Sequence, residues 1–148
     1  MIFRMLAAVA VPFIALPAAP AVAQNRPNEA RDVMRSLGMS GLQGKKLEKA
    51  VAKAEAIPLG SKANPVRENM PKGELAYLNR LRCADGAKPA VSRSGNVGSG
   101  IYGNIVDLFQ VTCPGAKPVA VYMDMYHDGP ETRPIPGFTM EQQTAPSA

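Results

Sequence analysis

The stretch NIVDLFQVTCPGAKPVAVYMDMYH (residues 104–127) contains two apolar runs joined by a short segment of turn-forming residues. In residues 104–113, side chains alternate between two faces with a period of two, which is typical of a β-strand. Residues 118–127 repeat this pattern, with Val and Met on one face. The intervening CPGAKP is short enough for a hairpin connection. The stretch therefore predicts two adjacent antiparallel strands.

A third strand and a helix are expected to complete the domain. AVSRS (90–94) predicts a short strand. Residues 74–83 are ambiguous, because Leu75, Leu78 and Leu81 lie three apart as on a helix face, while strand alternation also fits. The absence of β-branched residues favours a helix. We expect an α+β fold: a small antiparallel sheet of about three strands with one packed helix.

Two segments resemble each other. CADGAKPAV (83–91) and CPGAKPVAV (113–121) share a Cys, then Gly-Ala-Lys-Pro, then apolar residues. Two independent turns explain the similarity, because Gly, Asp and Pro all favour turns. The alternative is a duplicated hairpin, which would make residues 75–83 a strand.

Residues 24–58 are predicted to be helical and to precede this domain. A first helix would follow Asn28 and end before Gly38. A second would begin at the capping-box spacing Ser40–Gln43 and end before Pro58. Lysines opposite its apolar stripe indicate an exposed outer face, and the stripe lacks the aromatic anchors of a membrane-binding helix. The stripe is Leu47, Ala50, Val51 and Ala54, and the lysines are Lys45, Lys49 and Lys53.

Residues 1–23 have the parts of a secretory signal peptide: Arg4, an apolar run and the small residues Ala21 and Ala23. We expect cleavage after Ala23. A membrane anchor fits less well, because three prolines interrupt a run that would need ~20 apolar residues to span a bilayer. The mature protein would be periplasmic or secreted and would lack a transmembrane segment. Residues 59–138 would then form the α+β domain and 139–148 a disordered tail.

The charge balance argues against a nucleic-acid-binding protein. The chain has 17 Lys and Arg against 12 Asp and Glu, with four Tyr, four Phe and no Trp. The positive charge is spread along the sequence, whereas nucleic-acid-binding proteins concentrate it and combine it with aromatic residues. We expect no nucleic-acid partner. Candidate partners are an envelope protein or an anionic polymer.

Cys83 and Cys113 are the only cysteines. In an oxidising compartment, an even number of cysteines is most simply explained by a disulfide. A redox-active or metal-binding thiol pair is the alternative, but the CxxC spacing and further ligands are absent. We therefore expect a structural disulfide.

The sole histidine, His127, follows Asp124 and precedes Asp128. Catalysis would use His127 as general acid or base, oriented by Asp124 or Asp128, with Arg133 binding an anion. If the strand continues to His127, however, Asp124 and His127 face opposite sides. One histidine beside paired cysteines supplies too few ligands for zinc. We therefore expect no metal site, no cofactor and, on balance, no catalytic residue.

GNVGSGIYG (95–103) contains the G-x-G-x-x-G spacing, but a strand rather than a helix is predicted to follow it. A Gly-rich loop is the better interpretation, and its amides could bind an anion beside Arg93. Loops and exposed aromatics often carry recognition, although tyrosines packed at the sheet edge are equally compatible with the pattern. The candidate contact residues are Arg93, Gly98, Gly100, Tyr102, Tyr122 and Tyr126.

From NPVR through AYLNRLRCADG, YGNIVDLFQV and VYMDMYH to PGF, residues 59–138 resemble a family of small exported bacterial proteins without an assigned activity. The resemblance implies that this region is one structural unit, and it implies no catalytic residue or cofactor. We expect a non-catalytic exported protein that contacts an envelope macromolecule or a protein partner. The alternatives are a small basic hydrolase that uses His127, and an inhibitor of an exported enzyme that binds through the 93–103 loop.

Overall fold

The computed structural model describes residues 29–37 and 40–141. The predicted signal peptide, Asn28, Gly38 and residues 142–148 of the predicted tail lie outside this part. The helices are α1 (Glu29–Ser36), α2 (Gly44–Ala54) and α3 (Met70–Arg80). The strands are β1 (Val66–Arg67), β2 (Leu81–Arg82), β3 (Ala90–Ser99), β4 (Ile105–Thr112), β5 (Val119–Asp124) and β6 (Thr139–Met140).

The main sheet has four strands in the order β1-β5-β4-β3. The predicted hairpin is confirmed, because β4 and β5 pair antiparallel with Phe109 opposite Val121. The fold is α+β, as expected, but the sheet is mixed rather than antiparallel, because β1 pairs parallel to β5. β1 was not predicted, since two residues are too few to show an alternating pattern.

The core lies between α3 and the sheet. Tyr77 and Leu78 of α3 pack with Phe109, Val121 and other sheet residues in one buried cluster. The helix prediction for residues 74–83 is confirmed up to Arg80. Leu75, however, is 54% exposed, and Glu74 takes the buried position on that face.

The predicted disulfide is present. Cys83 follows β2, Cys113 follows β4, and their Cα atoms are 5.9 Å apart. The Cys83 carbonyl accepts a hydrogen bond from Gly86 N–H at 2.9 Å, and the Cys113 carbonyl accepts one from Ala116 N–H at 3.0 Å. In both turns the donor lies three positions after the cysteine. The similar segments are therefore two similar turns. The duplicated hairpin is wrong, because residues 75–80 belong to a helix and the short β2 before the first turn pairs with β6 rather than with β3.

Two boundaries differ from the sequence-based expectation. α2 begins at Gly44, and its N-cap Gln43 makes no side-chain cap hydrogen bond, so the capping box at Ser40 does not form. Thr139 and Met140, expected in a disordered tail, form β6 and pair with β2. In the described ranges, no helix is both long enough and apolar enough to cross a bilayer.

Candidate functional site

A cleft of about 420 Å³ lies between α2 and the rest of the domain. The α2 side contributes mainly apolar residues, as the predicted stripe implies, while the lysines of the outer face are exposed. The opposite side contributes His127, Arg67 and Asp128. The cleft therefore combines an apolar wall with a polar end. Its α2-side lining is Leu42, Gln43, Gly44, Leu47, Glu48 and Val51.

The chain entering α2 is held by the turn that connects β3 to β4. Gly41 N–H donates to Asn104 Oδ1 at 3.1 Å, and Leu42 N–H donates to the carbonyl of Tyr102 at 2.6 Å. A Cβ atom at Gly41 would overlap both Asn104 Oδ1 and that carbonyl oxygen. Glycine is therefore required for this close approach. The same hydrogen bonds explain why α2 begins only at Gly44.

The other end of α2 is held by alternating charges. Glu55, its C-cap residue, pairs with Arg67 and Arg133, and both arginines also pair with Glu131. Hydrogen bonding from Arg133 outweighs burial and lowers the pKa of Glu55. Burial raises the pKa of Glu131, but hydrogen bonds from Arg133 outweigh it, so this pKa is also lowered. Two anions and two cations leave this network neutral.

Asp124, at the end of β5, is 0% exposed and fixed on two sides. Asn104 Nδ2 lies 3.2 and 3.1 Å from its two carboxylate oxygens, and Tyr126 N–H donates to Oδ1 at 3.1 Å. His127 Nε2 lies 3.1 Å from Oδ2. These last two atoms are not aligned for a hydrogen bond, and Nε2 has no other partner among the described residues. The two side chains are therefore in close contact without a hydrogen bond between them.

The strand does not continue to His127, because β5 ends at Asp124, so the condition for placing Asp124 and His127 on opposite sides is not met. Tyr126 forms an isolated bridge to Asn69 outside the named strands, and His127 N–H donates to the Glu68 carbonyl at 3.1 Å. The chain therefore bends after the strand. His127 returns to the side of Asp124 and is 5% exposed.

Tyr102 is buried behind His127. Its ring meets the imidazole edge-to-face, with centroids 5.0 Å apart, and its hydroxyl accepts a hydrogen bond from Arg67 at 3.1 Å. Tyr102 is 0% exposed, so the expectation that it forms an exposed contact surface is wrong. Tyr122 and Tyr126 are half-buried.

The predicted Gly-rich loop at 95–103 is mostly strand, because β3 extends to Ser99 through two irregularities in its pairing with β4. Gly98 has a φ of +82° in open space, and Gly100 leaves room for Val106. Arg93 forms two 2.8 Å hydrogen bonds with Asp107. An anion site at Arg93 is therefore not supported.

The other two catalytic candidates, Asp128 and Arg133, are both exposed. Asp128 is exposed at the edge of the cleft. Arg133 uses its guanidinium for Glu131 and Glu55, so the structure does not support the anion-binding role. Within the described part of the chain, no three His, Cys, Asp or Glu side chains converge as a metal site.

Two buried carboxyl groups were missed by the sequence analysis. Burial raises the pKa of Glu68 to about 7, even though its carboxylate accepts the Glu131 N–H at 3.0 Å. Burial, followed by the nearby Asp107 carboxylate, raises the pKa of Glu74 to about 8. No sequence signal identifies them, because a glutamate among lysines and prolines resembles a solvent-facing residue.

Comparisons with models of known protein families, with curated proteins and with solved structures gave no match to this chain.

Proposed function

We propose that this chain is an exported, non-catalytic binding protein and that the cleft beneath α2 is where its partner binds. The observation that carries the proposal is the cleft itself, whose volume of about 420 Å³ falls in the usual range for ligand pockets. Leu42, Leu47 and Val51 offer an apolar wall, and His127 offers a polar group at one end. This combination fits an apolar group that ends in a hydrogen-bonding function, presented by an envelope macromolecule or a protein partner.

Filling the cleft tests this proposal. The mature protein, its Leu47→Trp variant and its Ala52→Trp variant are each used to capture partners from a cell-envelope extract. Leu47 lines the cleft, whereas Ala52 lies on the exposed side of the same helix. We expect one partner that binds the wild type and Ala52→Trp with equal affinity. Its affinity for Leu47→Trp should be at least about tenfold lower, which corresponds to ~1.4 kcal/mol of binding free energy. Equal capture by all three proteins would contradict the proposal.

Export is tested separately by expressing the full chain in a bacterium and fractionating the cells. The expected product is a periplasmic or secreted protein that begins at Gln24, as determined by N-terminal sequencing, with no reactive thiol. A cytoplasmic product that retains residues 1–23 would contradict export. The disulfide between Cys83 and Cys113 supports the proposal, since such bonds persist mainly in oxidising compartments.

A small hydrolase is the second candidate, favoured by the Asp124–His127 contact at 3.1 Å. A buried carboxylate close to an imidazole resembles the arrangement used for general acid–base catalysis. None of the residues lining the cleft is Ser, Thr or Cys, so His127 would have to activate water. Under this function, His127→Gln would abolish a hydrolytic activity found by screening ester, phosphodiester and glycoside substrates, with nearly unchanged thermal stability. Under the binding function, the screen finds no activity that depends on His127.

A further inference from the structure

Asn104 is hydrogen-bonded both to the segment that enters α2 and to the end of β5. Its Nδ2 group holds both carboxylate oxygens of Asp124, and its Oδ1 accepts the N–H of Gly41 at the entrance to α2. Asn104 is 8% exposed, and Asp124 lies 3.1 Å from His127. One amide side chain thus connects the chain that covers the cleft with the carboxylate beside the imidazole.

We propose that Asn104 is a positioning residue that couples the docking of α2 to the orientation of Asp124 and His127 at the polar end of the cleft. This inference rests on the proposed binding function, since it states how that site is controlled. When Gly41 leaves Asn104 Oδ1, the amide is free to rotate, and Asp124 loses the donor that fixes both of its oxygens. A partner that displaces or presses α2 would then change the position of the imidazole. Coupling of this kind acts equally in both directions.

The sole histidine makes the coupling directly measurable. In the untagged mature protein, the NMR signals of the only imidazole report on His127 alone. Gly41→Ala places a methyl group against Asn104 and Tyr102, outside the core cluster. We expect it to shift the His127 signals. The control is Gly86→Ala, which strains a turn with a φ of +80° in open space. It should leave those signals unchanged.

Repeating the Gly41→Ala substitution in an Asn104→Ala protein distinguishes coupling through Asn104 from coupling through Tyr102. Tyr102 is the other candidate, because it also contacts both Leu42 and His127. In Asn104→Ala, adding Gly41→Ala should cause no further shift. A shift of undiminished size in that background, or unchanged signals in Gly41→Ala, would overturn the proposal.

The reverse direction provides an independent measurement should Gly41→Ala fail to fold. Asp124→Asn should accelerate amide hydrogen exchange at Gly41 and Leu42 by roughly 2- to 10-fold, the equivalent of one net hydrogen bond. Unchanged exchange would overturn the proposal. All of these measurements use the protein without a partner. If the His127 signals respond as expected but no partner is captured, only the binding function is refuted. If a partner is captured but the His127 signals do not respond, only the role of Asn104 is refuted.

Discussion

Glu74 lies on the buried face of α3, 2% exposed, and its Oε1 has no hydrogen-bond partner in the described structure. Its pKa of about 8, raised from 4.5, means that the folded protein retains a proton that the unfolded chain loses. Stability therefore falls as pH rises from about 4.5 to about 8 and then levels off. We predict that Glu74→Gln, which removes this titration, will be more stable than the wild type at pH 9 by at least ~1.4 kcal/mol, the equivalent of one pKa unit.

Urea unfolding at pH 5 and pH 9 measures this effect. The two proteins should differ much less at pH 5, where Glu74 is protonated in the folded state. Glu48→Gln is the control, because Glu48 is exposed on α2. A stability difference between Glu74→Gln and the wild type that is equal at the two pH values would show that Glu74 does not titrate as proposed.

Arg93 and Asp107 connect β3 to β4 through a two-pronged ion pair, in which Asp107 is 3% exposed and the Arg93 side chain is 51% exposed. Arg93→Met would leave a buried carboxylate without its main partner. We predict a lower free energy of unfolding, measured by urea denaturation, because a buried acceptor that loses its partner is destabilising. The double variant Arg93→Met/Asp107→Leu should recover much of this loss, since replacing both partners removes the unpaired charge. Failure to recover would point to the lost packing of Arg93 instead.

At the scale of the elements, α2 is held at its ends rather than along its length. Glu55 connects its C-terminal end to Arg67 and Arg133, and partly exposed ion pairs of this kind contribute ~0.2–1 kcal/mol each. We predict that Glu55→Ala accelerates amide hydrogen exchange in α2 by roughly 2- to 10-fold through local opening. Exchange in β4 and β5 should not change. Glu48→Ala on the same helix is the matched control, and equal acceleration in both variants would contradict an anchoring role for Glu55.

The elements that could be predicted from the sequence are those whose own pattern is long enough to read. β4, β5 and α2 each show their periodicity over six or more residues, and α3 was recognised from its composition. β1 and β6 could not be predicted, because each has two residues and exists only through its partner strand.

The candidate site was only half predictable for a related reason. His127 and Asp124 were singled out by residue type, but their contact depends on where β5 ends, and strand ends are set by tertiary contacts such as the Asn69–Tyr126 bridge. Asn104 carried no sequence signal at all. Its role arises from the meeting of two segments 63 positions apart in the chain.

At the scale of the whole molecule, the Cys83–Cys113 disulfide links two regions that the main sheet does not connect. Cys83 follows the two-stranded β2–β6 ladder, whereas Cys113 follows β4 of the main sheet. The bond closes a loop with a sequence separation of 30, for which the chain-entropy model gives a stabilisation of roughly 3–4 kcal/mol. Total stabilities of small domains are ~5–15 kcal/mol, so this bond supplies a large share.

We therefore predict that Cys83→Ser/Cys113→Ser lowers the free energy of unfolding by about 3 kcal/mol, measured by urea denaturation at pH 6. Wild-type protein kept reduced should match the variant, which separates loss of the covalent link from the serine substitutions. The slope of the transition should increase, because an unfolded chain without the cross-link exposes more surface. Thermal melting of the variant should still be cooperative, since the core cluster around Tyr77 and Phe109 contains neither cysteine. A variant as stable as the oxidised protein would mean that the bond adds no stability to this fold.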